Sequence, residues 1–98
     1  MKQIEIKLTP SQNALQGLFG PNTMVMVLCD ATDGPFSVEM ADAQSSDNNT
    51  FRFVKIDSTA NKITITAKSN QKIMNEDTQE LSQQADELVL NVGEGNWW

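Results

Sequence analysis

The chain has 98 residues, a hydrophobic fraction of 39% and neither histidine nor tyrosine. That length holds one domain and excludes a TIM barrel, which needs about 250 residues, while the missing histidine removes the commonest general base and metal ligand. The net charge is −6, with seven bases and seven acids balanced over residues 1–72 and six acids without a base over 73–98, a distribution unsuited to displacing counterions from nucleic acid.

Period-two alternation runs through most of the sequence. Ile4, Ile6 and Leu8 alternate with Gln3, Glu5 and Lys7, the pattern of a half-buried strand. Next, Thr9-Pro10-Ser11-Gln12 places a threonine at an N-cap, a proline at the first helical position and a glutamine three residues after the cap. Ala14, Leu15, Leu18 and Phe19 would then share a face, and Gly17, Gly20 and Pro21 stop any helix after about two turns. The expectation is a short helix or an irregular crossover near residues 10–19.

Thr23–Asp30 is apolar on both faces and reads as a central, fully buried strand. Thr32-Asp33-Gly34-Pro35 is a turn, followed by alternation at Phe36, Val38 and Met40. Phe51 and Phe53 face one way, with Arg52, Val54 and Ile56 on the other face. Ile63, Ile65 and Ala67 alternate with Thr64 and Thr66. Residues 75–86 are acidic and amide-rich, with Leu81 and Ala85 four apart, and fit a helical turn or a loop over a sheet edge. Leu88 and Leu90 form another strand, and Gly93-Glu94-Gly95-Asn96 turns the chain into a last short strand at Trp97 and Trp98. Turns at this spacing predict an all-β fold, an antiparallel β-sandwich or jelly-roll of about 7–8 short strands. The domain covers residues 1–98, with 1–23 available as an N-terminal arm.

No residue pattern supports catalysis. Ser and Cys nucleophiles lack a histidine partner, and no Walker or dinucleotide glycine spacing occurs. Asp30 and Asp33 surround an ordinary Asp-Gly turn without the spacing of a calcium loop. The single Cys29 closes neither an internal disulfide nor a zinc site and reads as a small buried hydrophobe. The sequence therefore predicts no catalytic residue, no metal and no cofactor. The opening residues carry no signal-peptide core, and no run of 18 apolar residues occurs, so neither secretion nor membrane insertion is indicated. Trp97 and Trp98 point to opposite faces of a strand, so one enters the core and the other is free to anchor a contact or stack on a sugar.

Three stretches carry a resemblance. They are Val27-Leu28-Cys29-Asp30-Ala31 with the following turn and Phe36–Met40, the run Val54-Lys55-Ile56-Asp57-Ser58-Thr59-Ala60-Asn61 with its alternating threonine strand, and Leu88-Val89-Leu90 with Gly95-Asn96-Trp97. Together they resemble small β-sandwich domains of tailed-bacteriophage structural proteins, of capsid-decoration, head-fibre or tail-fibre type. The resemblance spans about residues 24–98. It implies a non-enzymatic virion protein, made in the host cytoplasm and often trimeric, whose partner is the major capsid protein or another virion protein. Decoration of the head is the leading expectation. A fibre module that recognises host-surface glycans is the second. Neither nucleic acid nor membrane is an expected partner. The residues expected at the interface are Ile4, Ile6, Leu8, Leu18, Phe19, Trp97 and Trp98.

Overall fold

The computed structural model describes residues 2–15, 19–45 and 48–98. In chain order its strands are β1 (Lys2–Leu8), β2 (Thr23–Cys29), β3 (Phe36–Glu39), β4 (Thr50–Lys55), β5 (Ile63–Thr66), β6 (Thr78–Leu81), β7 (Glu87–Gly93) and β8 (Asn96–Trp97). They form a five-stranded sheet, ordered β1-β2-β4-β7-β8, and a three-stranded sheet, ordered β3-β5-β6. The domain is all-β, as the alternation predicts, and no α-helix occurs among the described residues.

The two sheets share one core because each strand turns its apolar set inward. Val25, Val27, Phe51, Phe53 and Leu90 come from the larger sheet, and Val38, Ile63, Ile65 and Leu81 from the smaller. The expected full burial of the central strand is corrected: only the inner face of β2 is fully buried, with Met24, Met26 and Leu28 half-buried on the other. Trp97 closes one end. Its ring stands edge-on to Phe51 at 5.2 Å between centroids, and its indole N–H donates to the Ala41 carbonyl at 3.0 Å. Phe19 packs edge-on against the same Phe51 at 5.5 Å.

The expected antiparallel pairing is corrected in part. β1 with β2, β2 with β4 and β3 with β5 are parallel, whereas β4 with β7, β5 with β6 and β7 with β8 are antiparallel. For β2 with β4 and for β3 with β5 the cause is the path of the chain. From β2 to β5 each successive strand crosses to the other sheet. A strand that returns after one excursion runs in its original direction, as in any crossover connection.

Over residues 9–15 the segment after β1 takes the irregular alternative, and residues 16–18 of the expected helix lie outside the described residues. Thr9 and Gln12 exchange backbone hydrogen bonds at 3.2 and 3.0 Å, so the residues that would start a helix close a tight turn instead. Proline suits the second position of such a turn as well as it suits a helix start. Residues 75–86 are also not helical: β6 lies within them, and Ala85 adopts a positive φ of 71°. The N-terminal segment is not a free arm over residues 2–8. Its register with β2 runs from Lys2↔Thr23 to Leu8↔Cys29, and Leu8 is buried.

Candidate functional site

The strongest local polar structure lies inside the protein. By alternation Lys55 falls on the Phe51/Phe53 face, and it is fully buried. Its ammonium lies 2.5 Å from Asp57 Oδ2. The Asp57 carboxylate also accepts the Ala31 N–H at 2.8 Å, the Thr59 N–H at 3.1 Å and the Thr59 hydroxyl. Asn61 Nδ2 donates to the Ala31 carbonyl at 2.8 Å. This network ties the turn after β2 to the turn after β4. Burial alone would raise the Asp57 carboxyl, but the hydrogen bonds from Lys55, Thr59 and Ala31 outweigh it and hold the group well below the usual carboxylate range. Cys29, in the same region, has its thiol pushed up to about 12, first by burial and then by the Asp57 charge, so it carries no thiolate chemistry at neutral pH.

These residues coincide with the Lys-x-Asp-x-Thr-x-Asn run that carries the resemblance. Their job in this chain is to position turns, not to meet a partner. A buried ion pair contributes little net stability over apolar packing, but breaking it by removing one member is costly.

The surface that offers contacts lies at the β7–β8 edge of the larger sheet. The exposed large hydrophobic residues are Trp98 (49%), Met74 (48%), Val89 (42%) and Ile56 (36%). Trp98 and Met74 are neighbours, and Val89 lies on the outer face of the same sheet. Trp98 and Asn91 exchange both backbone hydrogen bonds at 2.8 Å, which places Trp98 on the outer face of the sheet, as Asn91 is. Val89 occupies the same face of β7, two residues along. The Met74 N–H donates to the Trp97 carbonyl at 2.7 Å, so Met74 borders the peptide that joins the two tryptophans.

Two local features fix this rim. The Trp98 indole donates to the Gly93 carbonyl at 3.0 Å, and a Cβ on Gly93 would stand 3.2 Å from Trp98 Cδ1, so the glycine lets the ring lie against the strand. Met74 and Asn75 both have positive φ, 51° and 67°, in the turn closed by the Ile73–Glu76 bridge. Left-handed backbone costs a residue with a side chain about 1–2 kcal/mol. A methionine held there, uncovered, satisfies neither the backbone nor the core.

The residues expected at an interface do not form one patch. Trp97 and Leu8 are buried in the core and cannot present a surface. Phe19 is half-buried against Phe51, and Leu18 lies outside the described residues. Ile4 and Ile6 are half-buried on the inner face of β1, the opposite edge of the sheet from Trp98. Four inter-strand steps of about 4.8 Å put the two edges roughly 19 Å apart. The sequence did not single out Met74 and Val89 as exposed apolar residues. The signal for Val89 was its place on the polar face of β7, between Glu87 and Asn91.

The sequence matches no protein-family model, no curated protein and no solved structure.

Proposed function

We propose that this protein is a non-enzymatic structural component of a tailed-phage virion, bound to the head as an oligomeric decoration protein that cements the major capsid protein lattice. The observation that carries the reading is the exposed pair Met74 and Trp98, with Val89 on the same outer face of the sheet, beside a sequence that resembles phage virion domains in its turns and buried network. Large apolar side chains gathered at one edge are the composition of a contact surface, and tryptophan and methionine are enriched at interface centres. Binding that exists only in the assembled shell stabilises the shell by mass action, and several copies of one contact in an oligomer add avidity.

The experiment mixes purified protein, sized by light scattering, with undecorated heads of the source phage and pellets them. Saturation at a fixed stoichiometry, lost on Trp98→Ala, supports the proposal. Absence of co-pelleting rejects it.

A second reading is a tail- or head-fibre module for host-surface glycans. Trp98 favours it, since its exposed ring lies on the face that carries Asn91, whose Oδ1 accepts the Thr50 hydroxyl at 2.8 Å. An aromatic face with amides and hydroxyls at its rim suits sugar stacking. A shift in Trp98 fluorescence with an oligosaccharide panel, absent in Trp98→Ala, would support this reading over the first.

A further inference from the structure

The geometry points to the free edge of β1 as a docking site for an extended strand from a different protein, with a basic residue opposite Glu5 and an acidic residue opposite Lys7. The inference does not depend on the virion reading.

Among the described residues no strand pairs with the outer edge of β1. The Lys2 N–H donates to the Asn22 carbonyl, and the Leu8 carbonyl accepts from Asp30 N–H at 2.9 Å. In a parallel ladder with this register, the even residues of β1 therefore point their backbone groups at β2. The N–H and C=O groups of Gln3, Glu5 and Lys7 point outward, and all three residues are exposed. The strand is seven residues long and contains no proline, so it is a ready template for another strand.

Two clefts flank it, one on each face. One of about 470 Å³ runs along Ile6 and Leu8 to the 11–14 segment. The other, about 560 Å³, is lined by Gln3, Ile4, Glu5, Met24, Met26 and Arg52. An added strand alternates its side chains between the two faces, so one set enters each cleft. In this recognition mode the backbone supplies affinity and the side-chain clefts supply specificity.

A second copy of β1 fits the edge poorly. Antiparallel self-pairing over the full strand places Glu5 opposite Glu5, and like charges directly opposite destabilise a sheet. Sliding the copy so that Glu5 meets Lys7 drives its Gln3 into the place beside Thr9 that Gln12 holds. Sliding it the other way sets Glu5 opposite Gln3, so Glu5 meets no opposite charge. A foreign strand with complementary charges meets all three outward residues.

The test uses the full chain and a capped nine-residue peptide with the central run glutamate, valine, lysine, valine, threonine, which lies antiparallel along Lys7 to Gln3. Backbone amide exchange is followed by NMR. Saturating peptide is expected to slow exchange about tenfold at Gln3, Glu5 and Lys7, with the even residues unchanged because they are already paired. A peptide with glutamate and lysine interchanged is expected to give no protection. Glu5→Pro removes only an outward N–H, a change an edge strand accepts, so it should fold and lose peptide binding. The inference is overturned if the designed peptide gives no protection, or if the interchanged peptide protects equally. It is also overturned if Glu5→Pro binds as well, or if the chain self-associates through an edge that Glu5→Pro abolishes.

Discussion

Cys29 and Lys55 are register partners on β2 and β4, and neither side chain reaches solvent. An ammonium beside a thiol ordinarily favours the thiolate. Here burial first, and then the Asp57 charge, push the thiol up to about 12 instead. Native protein is therefore expected to resist a disulfide reagent at neutral pH, with labelling only as fast as the chain opens. Asp57→Asn removes the charge that disfavours the thiolate, so the thiol should titrate lower in that variant. Labelling rate against pH reads both effects.

The same pair predicts a non-additive mutant cycle. Lys55→Met leaves the Asp57 carboxylate buried without its cation, and loss of one member of a buried pair costs about 3–5 kcal/mol. Adding Asp57→Asn to Lys55→Met removes the stranded charge and should recover part of that loss. Urea unfolding of the two single variants and the double variant measures the coupling.

Acid should destabilise the protein. Asp57 is lowered by its hydrogen bonds despite burial, Asp30 chiefly by the Thr32 hydroxyl and N–H, and Asp86 by the backbone N–H groups of Ser82 and Gln83. Carboxyls depressed in the folded state contribute stability above their unfolded value, near 3.9, and lose it as pH falls through the folded value. The urea midpoint should thus hold from neutral pH to about pH 5 and fall steadily below about pH 4. Asp57→Asn should start lower and fall less. At the alkaline end the sign reverses for Cys29: its raised value stabilises the fold below about 8.5, and that contribution declines as pH rises toward 12.

Met74 offers a trade between stability and contact. Met74→Asn puts a residue tolerant of left-handed backbone at a φ of 51°. It should raise stability by about 0.5–1 kcal/mol, a shift of roughly 2–8 °C in thermal midpoint for a domain of this size. Head binding should weaken in the same variant if the rim is the contact. Calorimetry and co-pelleting separate the two effects.

Gly93 and the two tryptophans give an optical readout. Acrylamide should quench Trp98 and spare Trp97, which is fully buried. Gly93→Ala sets a methyl 3.2 Å from Trp98 Cδ1 and should lift the ring from the strand. Red-shifted emission with little loss of fold is the expected result, because φ at Gly93 is not positive.

Much of the strand content was legible because inward and outward residues alternate cleanly at Phe36–Glu39, Thr50–Lys55 and Ile63–Thr66. Alternation reports faces and not neighbours, so it could not reveal that β2 and β4 run parallel with β3 in the other sheet. β6 was missed because Thr78–Leu81 buries only Leu81. Lys55 was visible in principle: it shares parity with Phe51 and Phe53, and Asp57 follows two residues later. Of the exposed apolar residues Trp98, Met74 and Val89, only Trp98 was legible. Val89 looked like part of a polar face, and Met74 became prominent only when its turn placed it beside Trp97.

The crossing path of the chain also bears on how the protein reaches its native state. Lys2 finds its ladder partner at Thr23, Met24 at Thr50 and Phe36 at Ile63. Among the described residues no two consecutive strands before β5 form a hairpin, so the early strands have no local strand partner to nucleate on. Each early rung requires a long loop to close before any bond rewards it, and such topologies fold in milliseconds to seconds, not microseconds. The hairpin of β7 with β8 is the cheapest element to form and follows every other described strand in the chain. Refolding should therefore be slow and sensitive to truncation at Trp97, with the first half of the chain waiting for the second.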